Sequence, residues 1–404
     1  MLQPSRLART ARSSAVRDLL RLTERPDVLS LAGGLPAPEL LPVDELAAAA
    51  ARVLAARGPA ALQYGPTEGI AALRELVAGR LGHGATPATT VITTGSQQGL
   101  DLVARAVLDP GDVVVTEVPT YLGALGALHW SGCRIVGVDG DADGLRTDLL
   151  EERLRAGLRP KLVYVVADFA NPTGATLSQR RRIHLARLAD RFGFVIVEDD
   201  PYGALRWRGV RLAPVRAWSD RVVTLGTASK VVAPGLRVGW LTAPEWLAPS
   251  IVIAKQGADL HTSTLNQWIV DDLLGDERWF EAHVSRLVGS YGARCAALVE
   301  ALGGILDVTA PDGGMFVWGA LADPSISASA LLTDALDHGV AFVPGAAFRP
   351  DGGDDHRLRL CFTTLDEAGL ADAAERLAAT ISDRGRGAST PGGGRPRASA
   401  GRGG

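Results

Sequence analysis

Six short runs dominated by Val, Ile and Leu, set apart by helix-forming stretches and polar loops, constrain this chain more than any other feature. They span residues 91–94, 113–117, 134–138, 162–167, 194–198 and 222–226 and are mostly apolar at successive positions, not at alternate ones. A strand that is apolar on both faces is buried on both faces, as in a sheet covered by helices on either side. The intervening stretches have helical period: Leu100, Val103 and Val107 fall at i, i+3 and i+7, as do Leu185, Leu188 and Phe192, and Gly193 is placed to end the second helix. Strands alternating with helices predict an α/β protein with a mostly parallel central sheet.

After about residue 282 the pattern changes to a long helix through Leu302, a strand at 315–318, a helix at 328–337, strands near 340–343 and 357–362, and a closing helix. This predicts a smaller α+β domain over 282–382, beside a large domain over 46–281 and an N-terminal arm over 1–45. Residues 383–404 are Gly, Arg, Pro, Ser and Ala with little to bury, and a disordered tail is expected there. The first 22 residues are rich in Arg and Ser but lack the apolar run of a secretion signal. Ser13 or Ser14 is placed to cap a helix carrying Val16, Leu19 and Leu20 on one face, so this segment is expected to belong to the fold.

Composition narrows the function classes. With 42 basic and 45 acidic residues the formal net charge is −3, which excludes a globally basic nucleic-acid binder. No stretch approaches the ~18 apolar residues of a membrane span. The three cysteines, Cys133, Cys295 and Cys361, form no Cys-x-x-Cys pair, so neither a disulfide framework nor a thiolate metal site is expected. The histidines show no metal-ligand spacing either. A cytoplasmic location and small-molecule substrates fit, with no nucleic-acid or membrane partner.

In an open parallel sheet, ligands bind beyond the carboxyl ends of the strands. Five polar loops fall there: Gly95-Ser96-Gln97, Pro119-Thr120-Tyr121, Asn171-Pro172-Thr173-Gly174, Asp199-Asp200-Pro201-Tyr202 and Thr227-Ala228-Ser229-Lys230. Ser96 and Gln97 open a helix whose N-terminus suits a phosphate, or they simply cap it. Asp199 is either a satisfied loop carboxylate or the counter-ion of a buried cation. Nearly all basic residues are arginine, and the only lysines are Lys161, Lys230 and Lys255. Where Arg serves for generic charge, a retained Lys points to a need for its amine, because a guanidinium stays protonated and cannot form a Schiff base.

Taken together these loops supply what pyridoxal phosphate needs: a lysine amine, a carboxylate for the pyridine nitrogen, a donor to the ring hydroxyl and a phosphate cradle. Asn171-Pro172-Thr173-Gly174, Asp199-x-x-Tyr202, Ser229-Lys230 with Arg237, and Arg359 in Arg357-Leu358-Arg359-Leu360 resemble the class I/II aminotransferases of the fold-type I pyridoxal phosphate enzymes. The branch it most resembles is that of 2-aminoadipate aminotransferase and kynurenine aminotransferase II. That likeness rests on Leu31-Ala32-Gly33-Gly34-Leu35-Pro36, Gln63-Tyr64-Gly65-Pro66-Thr67-Glu68-Gly69, Ile92-Thr93-Thr94-Gly95-Ser96-Gln97-Gln98, the run from Lys255 through Asp259 to Thr262, and Gly313-Gly314-Met315-Phe316-Val317-Trp318.

The resemblance implies the aspartate aminotransferase-like fold, a homodimer with a shared active site, and a role for each matching position. Lys230 would hold the cofactor covalently and move protons, and Asp199 would pair with the pyridinium nitrogen. Asn171 and Tyr202 would bond the ring hydroxyl, and Tyr121 would also contact the cofactor. Ser96, Gln97, Thr227, Ser229 and Arg237 would gather the phosphate, with Tyr64 arriving from the neighbouring subunit. Arg359 would clamp the substrate α-carboxylate, with Gly34 and Asn171 beside it. Arg17 would meet a side-chain carboxylate, which fits glutamate or 2-aminoadipate. The implied reaction is ping-pong transamination from an L-amino acid (2-aminoadipate, aromatic, branched-chain or specialised) to a 2-oxo acid such as 2-oxoglutarate.

The relatives often carry Ser where Thr227 stands, and the hydroxyl survives the change. β-Elimination, decarboxylation or acyl condensation on the same cofactor is the competing chemistry, disfavoured by the pair Arg17 and Arg359. A ligand-sensing module behind a DNA-binding domain is disfavoured by the short stretch before Leu31.

Overall fold

The computed structural model describes residues 3–10, 27–353 and 355–388. The expected helix after Ser13 lies outside them, as do Arg17 and residues 389–404. In chain order the strands are β1 (Leu29–Ser30), β2 (Thr90–Thr93), β3 (Val113–Val118), β4 (Arg134–Asp141), β5 (Gly144–Leu145), β6 (Leu162–Val166), β7 (Val195–Asp200), β8 (Val222–Thr227), β9 (Gly239–Thr242), β10 (Leu306–Val308), β11 (Phe316–Leu321), β12 (Val340–Ala341), β13 (Val343–Pro344) and β14 (Arg357–Cys361).

Eight of them form one sheet in the order β2-β9-β8-β7-β6-β3-β4-β5. The pairs from β8 through β7, β6 and β3 to β4 are parallel, whereas β9 runs antiparallel to both β8 and β2. Every residue of β6 and β8 is buried, as runs apolar on both faces require. Each Val or Leu fully withdrawn there contributes ~1.5–3 kcal/mol against exposure. The helix Gln179–Phe192 ends where Gly193 takes the left-handed conformation, its N–H donating to the Ala189 carbonyl at 2.8 Å. The chain therefore has the expected α/β architecture, a mostly parallel sheet covered by helices.

A second sheet, wholly antiparallel, has the order β10-β11-β14-β13 and packs with the helices Glu277–Ala301 and Ala328–Asp337, on which the helix Glu367–Ala388 lies. The helix Glu277–Ala301 starts five residues before the expected boundary at 282, and the last helix continues past Asp383 to Ala388. β1 joins β12 in a parallel pair, so residues 29–30 are tied to the second sheet's side of the molecule. Arg294 strengthens that tie by donating to Glu39 and to the Thr363 carbonyl.

β9 was not among the sequence expectations. It is four residues long and begins with Gly239, whose Cβ, were there one, would lie 2.7 Å from the Gly95 carbonyl carbon and the Ser96 nitrogen. A glycine that weakens strand propensity is needed here so that two backbones can approach. Among the described residues no helix is long and apolar enough to cross a membrane.

Candidate active site

The carboxyl ends of β2, β3, β6, β7 and β8 bring all five polar loops to one edge of the sheet, around a cavity of about 300 Å³. Its wall includes Ser96, Gln97, Tyr121, Asn171, Asp199, Tyr202, Thr227, Ser229, Lys230 and Arg237, with Gly34 and Arg359 closing it from the other side. Twelve residues that sequence reasoning scattered over the chain thus share one pocket. Tyr64 does not line it: 78% exposed, it rests edge-on against His261 with ring centroids 5.7 Å apart.

The three lysines separate cleanly. Lys161 faces Asp112 at 3.5 Å on the surface, Lys255 is buried against Asp259, and Lys230 enters the cavity, donating from Nζ to the Gly34 carbonyl at 2.7 Å. Burial, together with the guanidinium charges of Arg359 and Arg237, lowers the Lys230 amine to about 8. A substantial neutral fraction is then present near neutrality, which an ordinary lysine lacks.

Asp199 stands near the end of β7 with almost no exposure. Tyr164 donates to its Oδ2 at 2.8 Å, while Oδ1 is buried and has no partner. Burial, with a further push from the charge of Asp200, raises the Asp199 carboxyl to about 7. An orphaned buried carboxylate oxygen is costly unless a donor meets it, and a protonated ring nitrogen is such a donor.

The anion cradle combines the backbone at Gly95–Gln97 with the Arg237 guanidinium. Gly95 sits at φ +78 between β2 and the helix Ser96–Val107, and its missing Cβ leaves room for Arg237, whose Nη2 would otherwise be 2.5 Å away. Arg237 donates to the Thr94 carbonyl at 3.3 Å. Gln97 is held by its Nε2 donating to the Gly123 carbonyl at 2.7 Å. The Thr227 hydroxyl donates to Ser229 Oγ at 2.9 Å and accepts the Ser229 N–H at 3.1 Å, fixing the turn before Lys230. A glycine-shaped turn, a helix N-terminus and a guanidinium converging on one spot fit a phosphate. The residues present therefore match pyridoxal phosphate at its three polar points: amine, carboxylate and phosphate cradle.

Arg359, on β14, is buried. Its Nη1 donates to Asn171 Oδ1 at 3.2 Å and its Nη2 to the Ala32 and Gly33 carbonyls, the latter at 2.8 Å, while Nε has no partner. The guanidinium lies over Phe316 and Phe348, 4.5 and 5.2 Å from the ring centroids. Tyr202 meets Phe316 edge-on at 5.8 Å, and burial raises its phenol.

Phe316 is among the pocket residues that sequence reasoning left without a role, with Leu35 and Leu122. Its neighbour Met315 is buried but does not line the cavity. Phe316 opens β11 and pairs with Cys361 of β14, so its place at the pocket depends on a strand pairing distant in sequence.

Comparisons with known proteins agree with this geometry. The family model for aminotransferase class I and II matches residues 26–377. The chain is 43% identical to a 2-aminoadipate transaminase of Thermus thermophilus over 374 residues, 90% of this chain and 93% of the relative. It is 39% identical to aromatic-amino-acid aminotransferase 1 of Thermococcus litoralis over 386 residues, 92% of each. A crystal structure of the Thermus thermophilus alpha-aminoadipate aminotransferase in complex with N-(5'-phosphopyridoxyl)-L-leucine superposes with a TM-score of 0.88 at 40% identity, covering 94% of this chain and 97% of that one. Fold and pocket define a pyridoxal phosphate-dependent transaminase of the aspartate aminotransferase-like fold. The chain belongs to the class I and II aminotransferases.

Stripped of cofactor, the protein should show the cost of Asp199. Its carboxyl titrates at about 7 when folded against 3.8 as a free side chain, so the stability it contributes is full below the lower value and is lost as pH rises through the higher one. Cofactor-free Asp199→Asn should therefore exceed the wild type by on the order of a few kcal/mol at about pH 8, and the gap should close by about pH 4. Urea unfolding at both pH values reads this directly; a gap independent of pH would mean that Asp199 ionises normally.

Proposed function

We propose that this transaminase takes an L-amino acid with an apolar, aromatic or 2-aminoadipate side chain as donor and 2-oxoglutarate as acceptor, the two binding one after the other at the same pocket. The observation that carries the reading is the convergence of the Lys230 amine, the Asp199 carboxylate and the Arg359 guanidinium on one cavity. Pyridoxal phosphate, when bound, supplies the carbonyl group that receives the nitrogen and the conjugated ring that spreads the electrons released at the substrate α-carbon.

The chain's residues do the rest. Asp199 keeps a proton on the ring nitrogen, and in doing so its Oδ1 gains the partner it lacks. Asn171 and Tyr202 hold the ring hydroxyl. Ser96, Gln97, Thr227, Ser229 and Arg237 fix the phosphate, while Tyr121 packs beside Gln97. Lys230 would hold the cofactor through its amine when no substrate is bound and, as a free amine, would take the proton from the substrate α-carbon, a task its lowered basicity suits. Arg359 exchanges the Ala32 and Gly33 carbonyls for the substrate α-carboxylate, with Gly34 lending the close approach.

Leu35, Leu122 and Phe316 give the described wall its apolar character, which favours leucine-like and aromatic side chains. The names of the two relatives, one an aromatic-amino-acid and one a 2-aminoadipate enzyme, support the same range. We assign the protein as a cytoplasmic homodimer in which Tyr64, exposed and absent from its own pocket, reaches the phosphate site of the second copy. This reading divides the chain into an arm over 1–45, a large domain up to the helix Glu277–Ala301, a small domain from that helix through the helix Glu367–Ala388, and the residues beyond.

Arg17 tests the substrate range. Arg17→Ala should raise KM for 2-aminoadipate and glutamate by about tenfold, the loss of one charged hydrogen bond, and leave leucine within about twofold. Steady-state kinetics across this panel settles it: equal losses for dicarboxylic and neutral donors would reduce Arg17 to a residue of the fold.

A further inference from the structure

Lys255 has no place in the chemistry above, yet its side chain is completely buried and its ammonium is fully bonded. Its Nζ donates to Gln98 Oε1 at 2.9 Å, to the Asp259 carboxylate at 2.9 and 3.1 Å, and to Thr262 Oγ1 at 3.1 Å. Each acceptor is in turn tied to the turn after β2. Gln98 Oε1 also accepts the Thr94 N–H at 2.7 Å, and its Nε2 donates to Asp259 Oδ2 at 2.7 Å. The Thr94 hydroxyl donates to the same carboxylate oxygen at 2.8 Å. Thr94 is thereby held by both its backbone and its side chain, and its carbonyl is the one that receives Arg237.

The consequence is geometric. Thr94 is the last residue before Gly95, Ser96 and Gln97, whose backbone forms the anion cradle, and Gly239 presses against that backbone from β9. A cradle of this kind binds only if its N–H groups and guanidinium are fixed in advance, since a displacement of about an ångström forfeits most of a hydrogen bond. Only an ammonium supplies three donors in a fan from one point inside so small a space; a guanidinium is planar and larger. Asp259 remains charged because, although its burial opposes ionisation, Lys255, Gln98 and Thr94 all bond to it.

We infer that Lys255, with Asp259 and Gln98, is a positioning residue that sets the Thr94–Gly95–Ser96 turn and Arg237 for the cofactor phosphate. It touches neither the cavity nor the reacting atoms and acts on cofactor affinity, not on the chemical step. This rests on the cofactor assignment made above.

The test uses Lys255→Met holoenzyme. The dissociation constant for pyridoxal phosphate is read from visible absorbance during dilution and dialysis, the phosphate environment from phosphorus NMR, and turnover at saturating cofactor. The dissociation constant should rise at least about tenfold and the phosphorus resonance should move or broaden, while kcat at saturating cofactor stays within about twofold. Thr94→Val, which removes the hydroxyl's bonds to Asp259 and to Thr262 Oγ1, the latter at 3.2 Å, should shift the constant in the same direction by about threefold, and it decides the matter if Lys255→Met does not fold. A folded Lys255→Met protein with wild-type cofactor affinity, or a kcat loss that persists at saturating cofactor with an unmoved resonance, would overturn the inference. So would an unchanged constant in Thr94→Val. Wild-type protein that binds no pyridoxal phosphate would instead sink the cofactor assignment itself.

Discussion

Lys230→Ala should lower kcat by about 10⁴-fold or more while leaving the protein folded and still able to hold pyridoxal phosphate. The loss is large because one amine has two duties. On the proposed function it would be the attachment point for the cofactor between turnovers and also the amine, lowered to about 8 inside the cavity, that moves the substrate proton. The fold should survive because the amine makes one hydrogen bond, to the Gly34 carbonyl, and its burial disfavours the charged form. Circular dichroism and thermal unfolding would check the fold. Borohydride, which fixes a Schiff base, should trap cofactor on the wild type and none on the variant. Lys230→Arg should not restore turnover, since a guanidinium stays protonated at any working pH. Turnover within about tenfold of wild type would remove Lys230 from both duties.

Arg359→Lys should reduce kcat/KM for every 2-amino acid by roughly 10²- to 10³-fold, a charge-conserving change with a large effect. A carboxylate is gripped by two parallel N–H donors of a planar fork, whereas an ammonium meets it from a single point. The surroundings are also shaped for the plane. Phe316 and Phe348 stack against the guanidinium, and Ala32, Gly33 and Asn171 supply acceptors around its edge. The deficit should fall on the amino-acid half-reaction, with cofactor absorbance retained, and stopped-flow mixing with leucine and 2-aminoadipate would measure it. A loss below about tenfold would mean that the carboxylate is held elsewhere.

Much of this site could be read before any coordinates because its parts lie at strand ends in a fixed chain order. β6, β7 and β8 were legible as runs buried on both faces, and the position of Asp199 and Lys230 at such ends already implied one edge. The scarcity of lysine pointed at three positions, and the structure sorts them by environment: one on the surface, one in a buried network and one in the cavity. What could not be read depends on distant neighbours. β9 is short and begins with glycine, and the reason for that glycine is a contact with Gly95 and Ser96, more than 140 residues earlier in the chain. Phe316 gains its meaning only from Arg359 on the adjacent strand and Tyr202 across the cavity. Lys255 carries no visible task until helix Ala248–Ala258 is docked against Gln98.

On the proposed function, Lys230, Asp199 and Arg359 together make a pocket that exchanges amino groups. Titration of purified protein with L-2-aminoadipate, glutamate, leucine and phenylalanine, followed by near-ultraviolet and visible absorbance, tests it most directly. The predicted result is a visible band of bound cofactor that donors convert to the amino form and that 2-oxoglutarate restores, with Lys230→Ala unable to complete the cycle. A bound chromophore that none of these donors converts, or the absence of any chromophore after pyridoxal phosphate is added, would contradict it.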